Sequence, residues 1–370
     1  MRRVLQISSA RAFGGGERHF ADLARGLHER GHEVLAALRE GSPLGERLNF
    51  LPERNIYALP LRNSLDLGSA RKLARIARER NVEIIHAHVA RDYLLAAFAV
   101  RRTLSSLVIT RHVLFPLGRV HRFALSNVAR VIAVSEPVAR ALRSQRLFDA
   151  EKIRVVENGV DLARVERERP FERRIKDETL RVGIVGELSE VKGQLEFVRA
   201  AALVAEEFGE GVEFVVVGDD NSRGGEYRAR VQRLLDALGL SERVRMLGRV
   251  EDALSVVVEL DLLVSASRSE SFGMAMAEAL ACGVPIVATA TEGARSLIED
   301  GVNGLLVPLD DTRALASAVS SMLASVERRI TFGVNARRNA RERFSLERMV
   351  EATERVYEEA LDGAESWGDS

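Results

Sequence analysis

Two glutamates eight residues apart, Glu270 and Glu278, bracket Ser271-Phe272-Gly273-Met274-Ala275-Met276-Ala277. The run before them, Asp261-Leu262-Leu263-Val264-Ser265-Ala266, reads as a buried strand. Ala279-Leu280-Ala281-Cys282-Gly283 reads as the end of a short helix stopped at a glycine, and Pro285–Thr289 as the next strand. Glu270 then falls in a strand-to-helix loop and Glu278 inside the helix. The amides between them start the helix, where an anion is favoured. A loop carboxylate, free amides and a helix carboxylate can together hold a sugar, a diphosphate and a ribose.

The elements that position these groups repeat along the chain. Val4–Ile7, Val34–Leu38, Val82–His86, Leu107–Thr110, Val131–Val134 and Ile153–Val156 read as strands with helical patterns between them. The series restarts at Leu180–Val185 and continues through Val212–Val217, Val244–Leu247, Asp261–Val264, Pro285–Ala288 and Leu305–Val307. Such alternation predicts doubly wound parallel sheets, and two series predict two Rossmann-like domains facing a cleft. A charged stretch without an apolar face puts the linker at about 163–179. The boundaries are 1–165 for an N-terminal domain and 175–345 for a C-terminal one. From Ser345, residues Leu346, Met349, Val350, Val356, Tyr357, Ala360 and Leu361 share one helical side. The tail from Asp362 carries no such pattern and reads as disordered.

Other residues stand at predicted strand ends. Gly14-Gly15-Gly16-Glu17 lies between the first strand and first helix, where glycines let a ligand approach a helix N-terminus. Thr110-Arg111-His112 ends a strand, and strand ends are where ligands bind in such sheets; Arg111 is a cation for an anionic acceptor. His86 and His88 alternate, so both point to one side. No third ligand stands at metal-site spacing, so no metal site is expected; one of the two lines a cleft and the other packs. Gly186-Glu187-Leu188-Ser189-Glu190-Val191-Lys192-Gly193 follows the first strand of the second series, and Met246-Leu247-Gly248-Arg249-Val250 ends a later one. The Asp219-Asp220 and Asp310-Asp311 pairs read as solvated turns, and Asn158-Gly159 as a turn near the hinge.

The glutamate block resembles the glutamate-pair motif of glycosyltransferase family 4, a retaining family with the GT-B fold. The resemblance implies that Glu270 contacts the donor sugar, that Phe272, Gly273 and Met274 supply amides, and that Glu278 holds the ribose. It implies further that Lys192 pairs with the diphosphate and that Arg249 and Val250 flank the base. Gly14 and Gly15 would face the donor phosphate or the acceptor, and His112 the transferred sugar. The family usually has an Arg where this chain has Glu187. A carboxylate there repels a diphosphate unless it turns away or a cation such as Arg268 or Arg249 compensates. The C-terminal helix would cross back to the N-terminal domain.

The resemblance implies a retaining, metal-independent hexosyltransferase with no cofactor beyond a UDP- or GDP-linked sugar donor. Its acceptor would be a glycan or lipid-linked molecule of lipopolysaccharide, capsule or other envelope polysaccharide. Two rival readings stay open: a nucleotide-sugar epimerase or hydrolase of the same fold, and a non-catalytic nucleotide-sugar-binding partner.

Composition bounds the rest. Of 370 residues, 46% are hydrophobic and 29% charged, enough for two cores and ordinary for a globular chain. A single cysteine, Cys282, excludes a disulfide framework and a thiolate metal site. No leader pattern and no apolar run of membrane-spanning length are present, so a cytoplasmic chain is expected. Residues 1–170 hold 30 Lys+Arg against 18 Asp+Glu, a balance of +12, and the remainder balances at −12. The basic half suits an anionic acceptor or peripheral contact with an anionic inner membrane. Arg71, Lys72, Arg75 and Arg78 form one candidate basic face, and Arg119 and Arg122 another. Aromatic residues are only 5% and do not interleave with the arginines, which argues against nucleic acid.

Overall fold

A computed structural model of the chain describes residues 1–118, 121–168 and 179–365. The chain divides into two compact units, one of Met1–Gly159 with Leu346–Ser370 and one of Val160–Ser345.

The first unit is built on a seven-stranded sheet. Its strands are β1 (Arg3–Ser8), β2 (Glu33–Arg39), β3 (Ile56–Leu59), β4 (Ile84–Ala87), β5 (Ser106–Arg111), β6 (Val128–Ala133) and β7 (Ile153–Val155). All pairings are parallel, in the order β3-β2-β1-β4-β5-β6-β7. The strand order reverses between β1 and β4. Helices cover the sheet because parallel strands must be buried on both faces. The helix Gly15–Glu29 turns Phe20, Leu23, Ala24 and Leu27 inward and ends where Arg30-Gly31 breaks the pattern.

The C-terminal helix, Leu346–Glu365, belongs to this unit. Met349, Val350, Val356, Tyr357 and Ala360 are all at most 3% exposed within its core. Burial of each larger side chain contributes about 1.5–3 kcal/mol, which holds the segment in place. Arg130 and Arg154 also pair with Glu359 across it, at 3.0 and 2.8 Å. The helix runs through Glu365, past the position where a disordered tail is expected, and residues 366–370 lie outside the described residues.

The second unit carries β8 (Leu180–Val185), β9 (Val212–Val217), β10 (Val244–Gly248), β11 (Leu262–Ser265), β12 (Ile286–Thr289) and β13 (Gly304–Val307). They form a parallel sheet in the order β10-β9-β8-β11-β12-β13, reversing between β8 and β11. Its core is rich in β-branched residues from the sheet, such as Val182, Ile184, Val212, Val216, Val264 and Val287, as strands covered on both faces require.

Two local readings change. The strand β3 is absent from the sequence reading because Ile56-Tyr57-Ala58-Leu59 is a short edge strand with only Leu59 fully buried. The expected linker at 163–179 begins inside a helix, Leu162–Glu168, that belongs to the second unit, which starts at Val160. Arg164 anchors that helix through its pair with Asp252. Residues 169–178 of the expected linker, and Arg119 of the second basic face, lie outside the described residues.

Candidate functional site

The loops after β8 and β11 meet at the reversal point of the second sheet, where open α/β sheets take their ligands. Lys192 comes from the first loop and Glu270 from the second. Lys192 Nζ donates to Glu270 Oε2 at 2.6 Å, with the lysine side chain 31% and the glutamate 13% exposed. Gly193, next to the lysine, has φ +72°, and a Cβ there would sit 2.0 Å from the Ala266 carbonyl oxygen. Only glycine lets the lysine loop come this close to the end of β11. The Glu270 backbone is fixed from the other side, its carbonyl accepting from Gly293 N–H at 3.0 Å.

Gly273 caps the helix Met274–Cys282 with φ +101°, a left-handed conformation that a Cβ would crowd against Met276 Cε at 2.3 Å. The amides from Met274 to Met276 therefore have no intrahelical acceptor. Phe272 is 2% exposed and packs edge-on against Phe344, ring centroids 5.8 Å apart, so its side chain is structural. Glu278 is 4% exposed on the inner side of the helix. Arg249 is exposed and Val250 half-buried beyond the end of β10. The step from β10 to β11 crosses three strand spacings, about 14 Å, the span of an extended nucleoside diphosphate with a group attached.

Glu187 is exposed, and its Oε1 accepts from Asn221 Nδ2 at 3.1 Å in the loop after β9. Arg268 does not compensate it, being held by Glu196 and Asp310 at 3.1 Å each. Asp220 is a half-buried loop residue. Its contacts with Ser222 and the Arg228 backbone hold its pKa down to about 2. Asp311 caps the helix Thr312–Leu323 through Ala314 N–H at 2.9 Å.

In the first unit, Gly14 caps the helix Gly15–Glu29, and its N–H donates to Glu17 Oε2 at 3.0 Å. Gly15 opens that helix, and a Cβ on Gly16 would lie 3.7 Å from the His112 ring, so the glycine loop and His112 adjoin. Arg111 is buried, and one of its guanidinium N–H groups donates to the Phe115 carbonyl. His86 packs rather than lining a cleft: Nδ1 meets the Tyr357 hydroxyl and Nε2 meets Thr110 Oγ1, each at 2.7 Å.

His88 is different. It neighbours His19 and His112, ring centroids 5.6 and 5.8 Å away, and ligand nitrogens of the three lie within 4.8 Å of one another. The third imidazole missing from the sequence spacing is thus supplied twice over by the fold. His19 is the residue that the sequence reading passed over; it stands beside Phe20 on the buried side of its helix. Burial pushes the His19 pKa down to about 4, with Asn158 acting weakly the other way. Burial first, then neighbouring imidazoles, hold His86, His88 and His112 well below the usual histidine range. All four rings are neutral at pH 7.

Two family models match the chain: Glycosyltransferase Family 4 over residues 13–164, and Glycosyl transferases group 1 over residues 165–339. The chain is 28% identical to N-acetyl-alpha-D-glucosaminyl L-malate synthase of Bacillus anthracis, over 98% of each chain. It is 31% identical to D-inositol 3-phosphate glycosyltransferase of Saccharomonospora viridis, over 75% of this chain and 70% of that one. In fold it is similar to the crystal structure of Anabaena HepE in complex with UDP and glucose. The TM-score is 0.81 at 23% identity, over 96% of this chain and 99% of the other.

Proposed function

Since the chain belongs to the family 4, group 1 glycosyltransferases, we propose that it transfers a hexose-type sugar, with retention, from a UDP- or GDP-linked donor. The observation that carries this reading is the Lys192–Glu270 pair, 2.6 Å apart, beside the open amides of the helix Met274–Cys282. In the reading, the diphosphate takes the lysine ammonium and the amides, which stabilise charge as it develops on the leaving group. Glu270 then turns to a sugar hydroxyl, Glu278 holds the ribose, and Arg249 and Val250 flank the base. From the first unit, Gly14 and Gly15 face phosphate or acceptor, and His112 contacts the sugar.

The bond from the sugar C1 to the leaving phosphate oxygen breaks. The acceptor hydroxyl forms its bond to C1 on the same face and gives its proton to that phosphate oxygen. This route needs no protein nucleophile and no metal ion on the diphosphate. Glu187 is compatible with it because Asn221 engages its carboxylate.

The acceptor is anionic in this reading, matching the +12 balance of the first 170 residues. A glycan or lipid-linked acceptor of the cell envelope, met at the cytoplasmic face of the membrane, is the first candidate. A small hydroxylated anion is the second, favoured by the likeness to N-acetyl-alpha-D-glucosaminyl L-malate synthase over 98% of both chains.

Thermal stabilisation by a panel of UDP, GDP, ADP and CMP sugars tests the donor site, since a ligand of the folded state raises its stability. One nucleotide should stand out, and Glu278→Ala should lose its shift. A variant that keeps the full shift would remove the ribose assignment. Product anomer analysis with each acceptor class then tests retention and separates transfer from epimerase or hydrolase action.

A further inference from the structure

We propose that the first unit carries a transition-metal site, suited to zinc, built from His19, His88 and His112. This goes beyond the transferase reading and does not depend on it. The three imidazoles come from three elements: the helix after β1, the end of β4 and the end of β5. These strands are adjacent in the sheet, and β1 and β4 flank its reversal point. Their ligand nitrogens lie within 4.8 Å of one another. Tetrahedral ligands about 2.0–2.1 Å from zinc stand roughly 3.4 Å apart, so side-chain rotations of about an ångström would close the set.

The second observation is independent of that proximity. Both ring nitrogens of His19, both of His88 and Nε2 of His112 are buried with no hydrogen-bond partner among the described residues. Buried polar atoms are nearly always paired, and a cluster of unpaired ones calls for an ion or an ordered ligand. His86 provides the contrast within the same group. Its ring is 4.1 Å from that of His88, yet both its nitrogens are paired with protein hydroxyls. This fold therefore satisfies a buried imidazole where it has no other use, and leaves the neighbouring three facing each other.

The donor set selects the metal. Three imidazole nitrogens suit zinc or cobalt, whereas magnesium and calcium take oxygen ligands. Three protein ligands leave a fourth position for water or another oxygen, the pattern of zinc sites that bind or activate a ligand. Asn158 adjoins His19, and its Oδ1 is also buried without a partner among the described residues, so it can accept from the ring N–H that the metal does not use. His112 giving Nε2 to the metal keeps Nδ1–H as a donor, which leaves its proposed sugar contact intact.

The test uses the full chain, stripped with a chelator and dialysed against Co(II). One cobalt per chain should remain, with the strong visible absorption of a four-coordinate ion. His19→Ala and His88→Ala should each weaken retention at least tenfold, and His28→Gln should leave it unchanged. Circular dichroism of each variant separates lost ligation from lost fold. Wild-type protein that keeps no cobalt, or keeps it equally after both alanine substitutions, overturns the proposal. Nucleotide binding by the stripped protein reports on the donor site separately, so either reading can fail alone.

Discussion

Lys192→Ala should weaken binding of the selected nucleoside diphosphate by two effects that can be measured apart. The first is the lost contact between ammonium and phosphate, a charge-assisted hydrogen bond contributing about 1.5–3 kcal/mol. The second is exposed by the 2.6 Å pair itself. Without the lysine, a carboxylate only 13% exposed faces the incoming diphosphate unneutralised. Two unit charges about 6 Å apart repel by roughly 2.8 kcal/mol at an effective dielectric of 20, and solvent in the loop reduces this to about 1.5 kcal/mol. Together they come to about 3–4.5 kcal/mol, or roughly a 150- to 1,600-fold rise in Kd. The double variant Lys192→Ala/Glu270→Gln keeps the first effect and removes the second, so it should bind about tenfold more tightly than Lys192→Ala alone. Isothermal titration with the nucleoside diphosphate and the corresponding nucleoside reads both, and the nucleoside should be nearly indifferent. A Lys192→Ala Kd within about threefold of wild type would refute the phosphate assignment, given the magnitude expected of a charged contact. A double variant no better than the single would refute the repulsion argument alone.

Two further outcomes follow from the first unit. Asp92 is fully buried; its Oδ2 accepts from Ser9 N–H at 2.7 Å while its Oδ1 has no partner among the described residues. Burial raises its pKa from 3.8 to about 6. The folded state therefore binds more protons than the unfolded state between those values, and stability falls as pH rises through that window. Asp92→Asn removes this dependence and should gain about 3 kcal/mol relative to wild type between roughly pH 4 and pH 7 in urea melts, whatever its absolute stability; a difference that stays constant with pH would sink the argument. Arg71, Lys72, Arg75 and Arg78 are exposed on the helix Leu67–Glu79, opposite the buried Leu73, Ala74, Ile76 and Ala77. At about 1 kcal/mol per basic residue near an anionic surface, reversing two of them to Glu should cut sedimentation with phosphatidylglycerol vesicles more than tenfold, and equal sedimentation would remove this face as a membrane contact.

The groups of the second unit were legible because each lies within a short stretch with its own local signal. Lys192 follows a β-branched run and precedes a glycine, and Glu270 and Glu278 straddle one helix start. The alternation predicted a doubly wound parallel sheet, and the strand order that joins them came from the structure. What stayed hidden was set by partners distant in sequence. The engagement of Glu187 depends on Asn221, 34 residues away in a polar loop with no periodicity. The histidine cluster draws on residues 19, 88 and 112; His112 reads on its own as a strand-end ligand contact, but nothing local joins it to His19 and His88. His19 did carry a signal, a polar ring on the buried side of an otherwise apolar helical stripe. Strand adjacency would have turned that signal into a cluster, because β1, β4 and β5 are consecutive in the sheet.

The two units solve the same topological problem with opposite chemistry. In each, the strand order reverses beside the first strand, and the loops from the strands at that point converge. The second unit fills its reversal point with an ion pair and open helix amides, an arrangement that exchanges a carboxylate for a phosphate at little cost in charge. The first fills its own with imidazoles kept neutral by burial. Neutral rings do not attract a diphosphate as lysine does, but they coordinate a cation or hydrogen-bond a hydroxyl. The proposed transfer, from an anionic donor to a hydroxyl-bearing acceptor, would use this difference. In the proposed reading, charge would hold the donor in one unit, while the other presents groups whose strength depends on direction and distance.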